Sequence, residues 1–239
     1  MFKKFLLCLF VLPFFIWSIE QQNEGIFFEI YHPDVSLERP VGYVMGTVHL
    51  VSPKHADMLK LNDKINAAFE RSKYFLPELD SIKDRKEILA ENGLEETPLT
   101  LNDSVLFEDD LLTRAYAKEK HEVIPMEKIS DQLEMLIAFK KEDASSTATI
   151  HPEIIELFNY AWKLGYLEFF EEVSKYNLLP ELMIKRNLVM ANMIDRVAKR
   201  ASCENETFFA FPGTGHLVGE KNVLQILEKE GYIIKRILK

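Results

Sequence analysis

Two runs of this chain, residues 41–45 and 207–211, are short, apolar and followed by the same signature, Gly46-Thr47-Val48-His49 and Gly213-Thr214-Gly215-His216. An unbroken apolar run of this length, bounded by glycine, suits a strand covered on both faces better than an amphipathic helix. Both runs therefore read as interior strands of one sheet. Glycine at a strand exit permits backbone angles that side chains forbid and allows a ligand to come close to the main chain. In open α/β sheets ligands bind at the carboxyl ends of the strands. His49 and His216, far apart in sequence, are thus expected to meet on one rim. A third run, Lys73-Tyr74-Phe75-Leu76, leads into Pro77-Glu78-Leu79-Asp80 and places Glu78 at the exit of another strand.

Two imidazoles and one carboxylate form a ligand set that binds a divalent ion and leaves positions open for water. Water so bound ionises near neutral pH and supplies a nucleophile for hydrolysis. The expected metal ligands are His49, Glu78 and His216. Plainer roles remain open for each: a hydrogen-bonded structural histidine beside a glycine turn, or an ion-paired carboxylate after a strand. Asp80 is read as structural, and His32, His55, His121 and His151 as surface residues.

The rest of the chain alternates between the two kinds of element. Residues 26–31 predict a first strand and 33–40 a hairpin turn into the strand before Gly46. A helix is expected over 55–72, returning the chain to the Tyr74 strand as a strand, helix, strand unit with parallel neighbours. Residues 81–121 read as polar helices, the last starting at Asp103 or Ser104. Residues 122–126 read as a short strand, followed by Glu127 and a helix through Gln132. Residues 140–149 read as a surface connection. From 152 to 202 the pattern is helical, broken near 177–180, and Trp162, Tyr166, Phe169 and Phe170 recur at core spacing. A helix over 217–230, stopped by Gly231, and a strand over 232–238 close the chain. The expected fold class is mixed α/β: a central sheet flanked by helices, with a substantial C-terminal helical layer.

Charge and the N-terminus bound the setting. Residues 1–18 pair Lys3 and Lys4 with an apolar core too short to span a bilayer, the pattern of a signal peptide or an uncleaved anchor. Residues 19–239 are expected to form a single domain, exported to a periplasmic or extracellular space. The formal charge is -9, and without residues 1–18 it falls to -11, since that segment holds two lysines and no acid. An acidic chain lacking basic blocks excludes nucleic acid and a polybasic hold on membranes. No membrane partner is expected beyond the N-terminal segment. Of the two cysteines, only Cys203 lies outside that segment, so an intramolecular disulfide is not available to the rest.

With these residues in place, the chain resembles the TraB/GumN family, which includes the pheromone-shutdown proteins and the Tiki metalloproteases. The resemblance runs through Gly46-Thr47-Val48-His49-Leu50, Glu78-Leu79-Asp80, Glu127 with Gln132-Leu133, Trp162-Lys163-Leu164-Gly165, Arg186-Asn187 with Met190-Ala191, and the segment from Gly213 to Gly219. It implies a mixed α and β fold, with both GxxH histidines and the early glutamate at the active site. For the Tiki members it implies metal-dependent proteolysis, with manganese or cobalt as the ion. It also brings Arg186, Asn187, Glu127, Gln132, Gly46 and Gly213 into consideration. Arg186 is a candidate to hold a substrate carboxylate or a developing oxyanion. Glu127 is a candidate to orient a histidine, or is a helix-start acid.

The function expected from the sequence is an exported metal-dependent hydrolase, a peptidase being one form, acting on a peptide or small-molecule substrate. Its rival is a non-catalytic protein that binds haem, iron or a peptide at the same residues.

Overall fold

The computed structural model describes residues 24–35, 37–79, 105–118, 121–128, 130, 133–134, 137–138, 152–177 and 179–238. The N-terminal segment 1–18, Asp80, the helix start near 103–104, Gln132, the 140–149 connection and His151 lie outside the described residues.

The apolar runs pair as one sheet. Its strands are β1 (Ile26–Tyr31), β2 (Gly42–Gly46), β4 (Tyr74–Pro77), β6 (Glu122–Val123), β7 (Phe208–Phe211) and β8 (Ile233–Arg236), in the order β6-β4-β7-β2-β1-β8. β1 and β2 form the antiparallel hairpin expected from the sequence, with Ile26 opposite Gly46. β7 runs parallel to both β2 and β4, so it lies between two strands that precede it by more than a hundred residues. The short strands β3 (Leu50–Val51) and β5 (Val105–Leu106) pair antiparallel beside this sheet.

The β7 strand explains why the sheet closes around it. Phe208, Phe209, Ala210 and Phe211 are all fully buried. Burying each phenylalanine contributes about 2–3 kcal/mol against exposure. The Phe209 ring stacks on Phe27 at 6.1 Å and meets Phe69 edge-on at 5.3 Å, which joins β1 and the following helix to the centre. Helices cover the faces: α1 (Asp63–Arg71), α2 (Phe107–Tyr116), α3 (Pro152–Lys163), α4 (Leu167–Ser174), α5 (Pro180–Glu204) and α6 (Val223–Lys229). Helices α3 to α5 are the expected C-terminal layer. Among the described residues no helix is long and apolar enough to cross a membrane.

Two helices are shorter than their apolar stripes imply. The run expected as one helix over 55–72 is a 3-10 turn, Pro53–Leu59, and then α1, because Asn62 caps α1 by accepting from the Ile65 N–H. The 217–230 helix is likewise a 3-10 turn, Thr214–Leu217, and then α6, capped by Asn222 accepting from the Gln225 N–H. Gly219 and Lys221, both with positive φ, separate the two pieces. The first signature thus leads through β3 and a 3-10 turn to an Asn-capped helix, whereas the second lies largely within its 3-10 turn before an Asn-capped helix.

Four side chains depart from expectation. Tyr166 is exposed rather than core, because it precedes α4 after the Gly165 turn and faces out. His32, His55 and His121 are half-buried rather than surface residues. His32 lies edge-on to Tyr232 and His121 edge-on to Phe75, so apolar rings draw both inward. Trp162 and Phe170 are buried and Phe169 packs beside them, as expected.

Candidate functional site

Parallel pairing of β4, β7 and β2 brings their carboxyl ends to one rim. Pro77 lies level with Phe211, and Thr47 forms a bridge with Gly213 one step beyond the strands. The two signatures are therefore neighbours. Their threonines interlock: the Thr47 N–H and hydroxyl donate to the Pro212 carbonyl at 2.8 and 3.2 Å, while the Thr214 N–H and hydroxyl both donate to the Thr47 carbonyl at 2.8 Å. Nearly every polar group of the junction is thereby used inside it, which suits a buried strand exit.

The signature glycines are needed for space. Gly213 has φ -56 and ψ 141, which most residues adopt. A Cβ built on it would stand 3.2 Å from Glu78 Oε2, 3.8 Å from His216 Cδ2 and 3.9 Å from His49 Cε1. The missing side chain of Gly213 thus marks a point that all three expected site residues surround. At Gly46 a Cβ would meet Thr214 Oγ1 at 2.7 Å, so that glycine admits the other signature.

Glu78, only 2 % exposed, is held from three sides. Its Oε2 accepts from the Gly213 N–H at 3.0 Å and its Oε1 from Arg186 Nη2 at 2.6 Å. Its own N–H donates to Glu108 Oε1 at 2.6 Å, and the Leu79 N–H reaches the same oxygen at 3.4 Å. Burial alone would push the Glu78 carboxyl up, but the fields of His216, Arg186 and His49 and the Gly213 N–H hold it well below the usual range, at about 2. At neutral pH Arg186 is the dominant of these charges, because His216 is then uncharged.

His216 is buried, and burial pushes its imidazole down to about 4 despite the opposing Glu78 charge. Its Nδ1 lies 2.6 Å from Asn187 Oδ1, and its Nε2 is 3.9 Å from Glu78 Oε1. His49, by contrast, has an exposed side chain on the loop between β2 and β3. Helix α3 fixes the backbone on both sides of it: Trp162 Nε1 donates to the Gly46 carbonyl at 2.5 Å, and Asn159 bridges the Leu50 carbonyl at 2.6 Å and the Ser52 N–H at 2.8 Å.

Arg186 and Asn187 reach the site from the buried face of α5. Arg186 Nε donates to Glu127 Oε2 at 2.9 Å, Nη2 bonds Glu127 Oε1, and the same Nη2 bonds Glu78. Burial alone would lower its pKa, but the Glu127 hydrogen bonds and the Glu78 charge raise it, so the guanidinium stays charged. In this arrangement Arg186 holds the Glu78 and Glu127 carboxylates together.

Two participants were missed in the sequence. Glu108 opens α2 within Glu108-Asp109-Asp110, which reads as a solvated helix start, yet it grips the Glu78 backbone. Burial, with the Glu78 charge adding to it, pushes its carboxyl up to about 8. Asn159 lies in an amphipathic helix where an apolar-face asparagine was the available clue. Among the described residues no group of three or more His, Cys, Asp or Glu side chains is arranged to hold a metal ion.

A mixed α/β sheet with two glycine-histidine signatures and a carboxylate on one rim defines the class. The sequence model of the TraB/PrgY/gumN family matches residues 93–236, more than half of the chain, which therefore belongs to that family. The matched stretch contains Glu127, Arg186, Asn187, Gly213 and His216; His49 and Glu78 precede it. A metalloprotease TIKI homolog from Amphimedon queenslandica is 34% identical over 67 residues, covering 28% of this chain and 12% of that protein. No solved structure matches.

Proposed function

We propose that this rim is the active site of a metal-dependent hydrolase acting on a peptide or small-molecule substrate, with His49, Glu78 and His216 holding a divalent cation. The observation that carries the reading is the space left by Gly213, which the two histidines and the ionised glutamate surround. The donor set matches such an ion in kind, though the three side chains are not arranged around one as they stand, and His216, neutral at physiological pH, has a lone pair to offer. The distant TIKI homolog, a metalloprotease homolog by name, supports metal-dependent proteolysis. Manganese and cobalt are the proposed ions. When bound, the ion supplies Lewis acidity for hydrolysis.

The chain's own residues prepare the rest. Arg186 keeps Glu78 ionised and fixes one of its oxygens, and Glu127 balances Arg186 so that the buried cluster retains net negative charge. Glu108 aligns the Glu78 backbone. His49, exposed, faces the solvent from which substrate arrives. Export, with residues 1–18 as signal or anchor, belongs to the same proposal and rests on the pattern of that segment.

Metal uptake tests it. Purified protein incubated with manganese, cobalt, zinc or iron is expected to retain one of them near stoichiometrically by inductively coupled plasma mass spectrometry, and to lose it in both His49→Ala and His216→Ala. A wild-type protein that takes up none of the four overturns the hydrolase reading in favour of non-catalytic haem or peptide binding.

A further inference from the structure

Asn187 makes two hydrogen bonds that together determine which nitrogen of His216 carries the proton. Its Nδ2 donates to the Lys221 carbonyl at 3.0 Å. A carbonyl only accepts, so this bond fixes the amide orientation and turns Oδ1 toward His216 Nδ1, 2.6 Å away. Oδ1 also only accepts. Nδ1 must therefore be the protonated nitrogen, and Nε2, directed toward Glu78 Oε1 at 3.9 Å, carries the lone pair.

The Lys221 carbonyl is itself held at some cost. Lys221 has φ +51, the left-handed region that a side chain disfavours. Its N–H donates to the Gln225 side chain at 2.8 Å, and Asn222, next in sequence, caps α6. The strained residue sits where its carbonyl meets Asn187.

We propose that Asn187 is the positioning residue that locks His216 as its Nδ1–H tautomer and so aims Nε2 into the space beside Gly213. The value of that lock for metal binding rests on the function proposed above; the tautomer itself does not.

The test is nitrogen-15 NMR of the full chain with labelled histidine at neutral pH, without metal. The expected wild-type signal of His216 is pyrrole-like at Nδ1 and pyridine-like at Nε2. Asn187→Asp, which keeps an acceptor, is expected to preserve this pattern, and Asn187→Leu to lose it. A pyridine-like Nδ1 in the wild type overturns the proposal, as does a native-like Asn187→Leu protein with an unchanged pattern. If Asn187→Leu does not fold, the wild type and Asn187→Asp decide. Cobalt titration of the same proteins then separates the two ideas: about 10- to 100-fold weaker binding in Asn187→Leu is expected. A wild type that binds no cobalt but shows the Nδ1–H pattern sinks the metal reading and leaves the tautomer lock standing.

Discussion

The two glycine-threonine signatures share sequence and backbone position, yet the chain treats their histidines in opposite ways. Around His49 the protein holds the backbone, through Trp162 and Asn159, and leaves the imidazole exposed. Around His216 it holds the imidazole itself, through Asn187, and buries it beside Glu78. One signature thus provides an outer, accessible group and the other a fixed, desolvated one. Equal motifs at equivalent strand exits need not have equal roles; what packs behind each decides.

The largest effect is expected on the buried half. Arg186→Met leaves Glu78 and Glu127 buried without their shared cation, and should destabilise by about 3–5 kcal/mol, read from the urea midpoint. A loss below about 1 kcal/mol would mean that the cluster does not need the ion pair. The glycines then separate the halves. Gly46→Ala forces a contact with Thr214 Oγ1 and should cost about 1–3 kcal/mol. Gly213→Ala, whose Cβ would stand 3.2 Å from Glu78 Oε2, forces a smaller shift and should cost less, about 1 kcal/mol or under, but lose bound metal; the reverse order would refute the assignment of Gly213 to the site.

Acid sensitivity probes the same contrast in metal-stripped protein. The folded His216 pKa of about 4 lies below its ordinary 6.5, so between those values the unfolded chain takes up a proton that the fold refuses. Stability is then lost as pH falls through this window. The difference between wild type and His216→Gln, measured by urea unfolding from pH 7 to 4, should shrink in that direction; a constant difference would show that His216 is not desolvated. Smaller still, Thr214→Val removes one hydroxyl bond to Thr47 and should cost about 1 kcal/mol. Smallest in stability is His49→Ala, within about 0.5 kcal/mol because its side chain is exposed, although metal uptake should vanish.

Much of this was legible because the strands are extreme. Four buried residues in β7, five in β2 and four in β4 leave little choice of element, and their exits supplied His216, His49 and Glu78 in turn. The breaks at Asn62 and Asn222 were less visible, because an apolar stripe continues across both and only the capping geometry reveals the interruption. The partnerships of Arg186 with Glu127 and of Glu108 with the Glu78 backbone are contacts across 59 and 30 residues. No local pattern specifies such pairs, since a charged residue on a helix reads the same whether it meets solvent or a buried partner.

The position of β7 also bears on how the protein comes into being. β2 and β4 have no contact with each other as neighbours in the sheet; each is paired to β7, which is made last of the three. During synthesis both wait without their common partner until Phe208 to Phe211 emerge, and only then can Thr47 and Thr214, 167 residues apart, close the junction. Contacts of such separation form slowly. A chain cut before Phe208 would keep β2 paired to β1 and β4 to β6 but leave the other edge of each open, with no site and with two aggregation-prone edges.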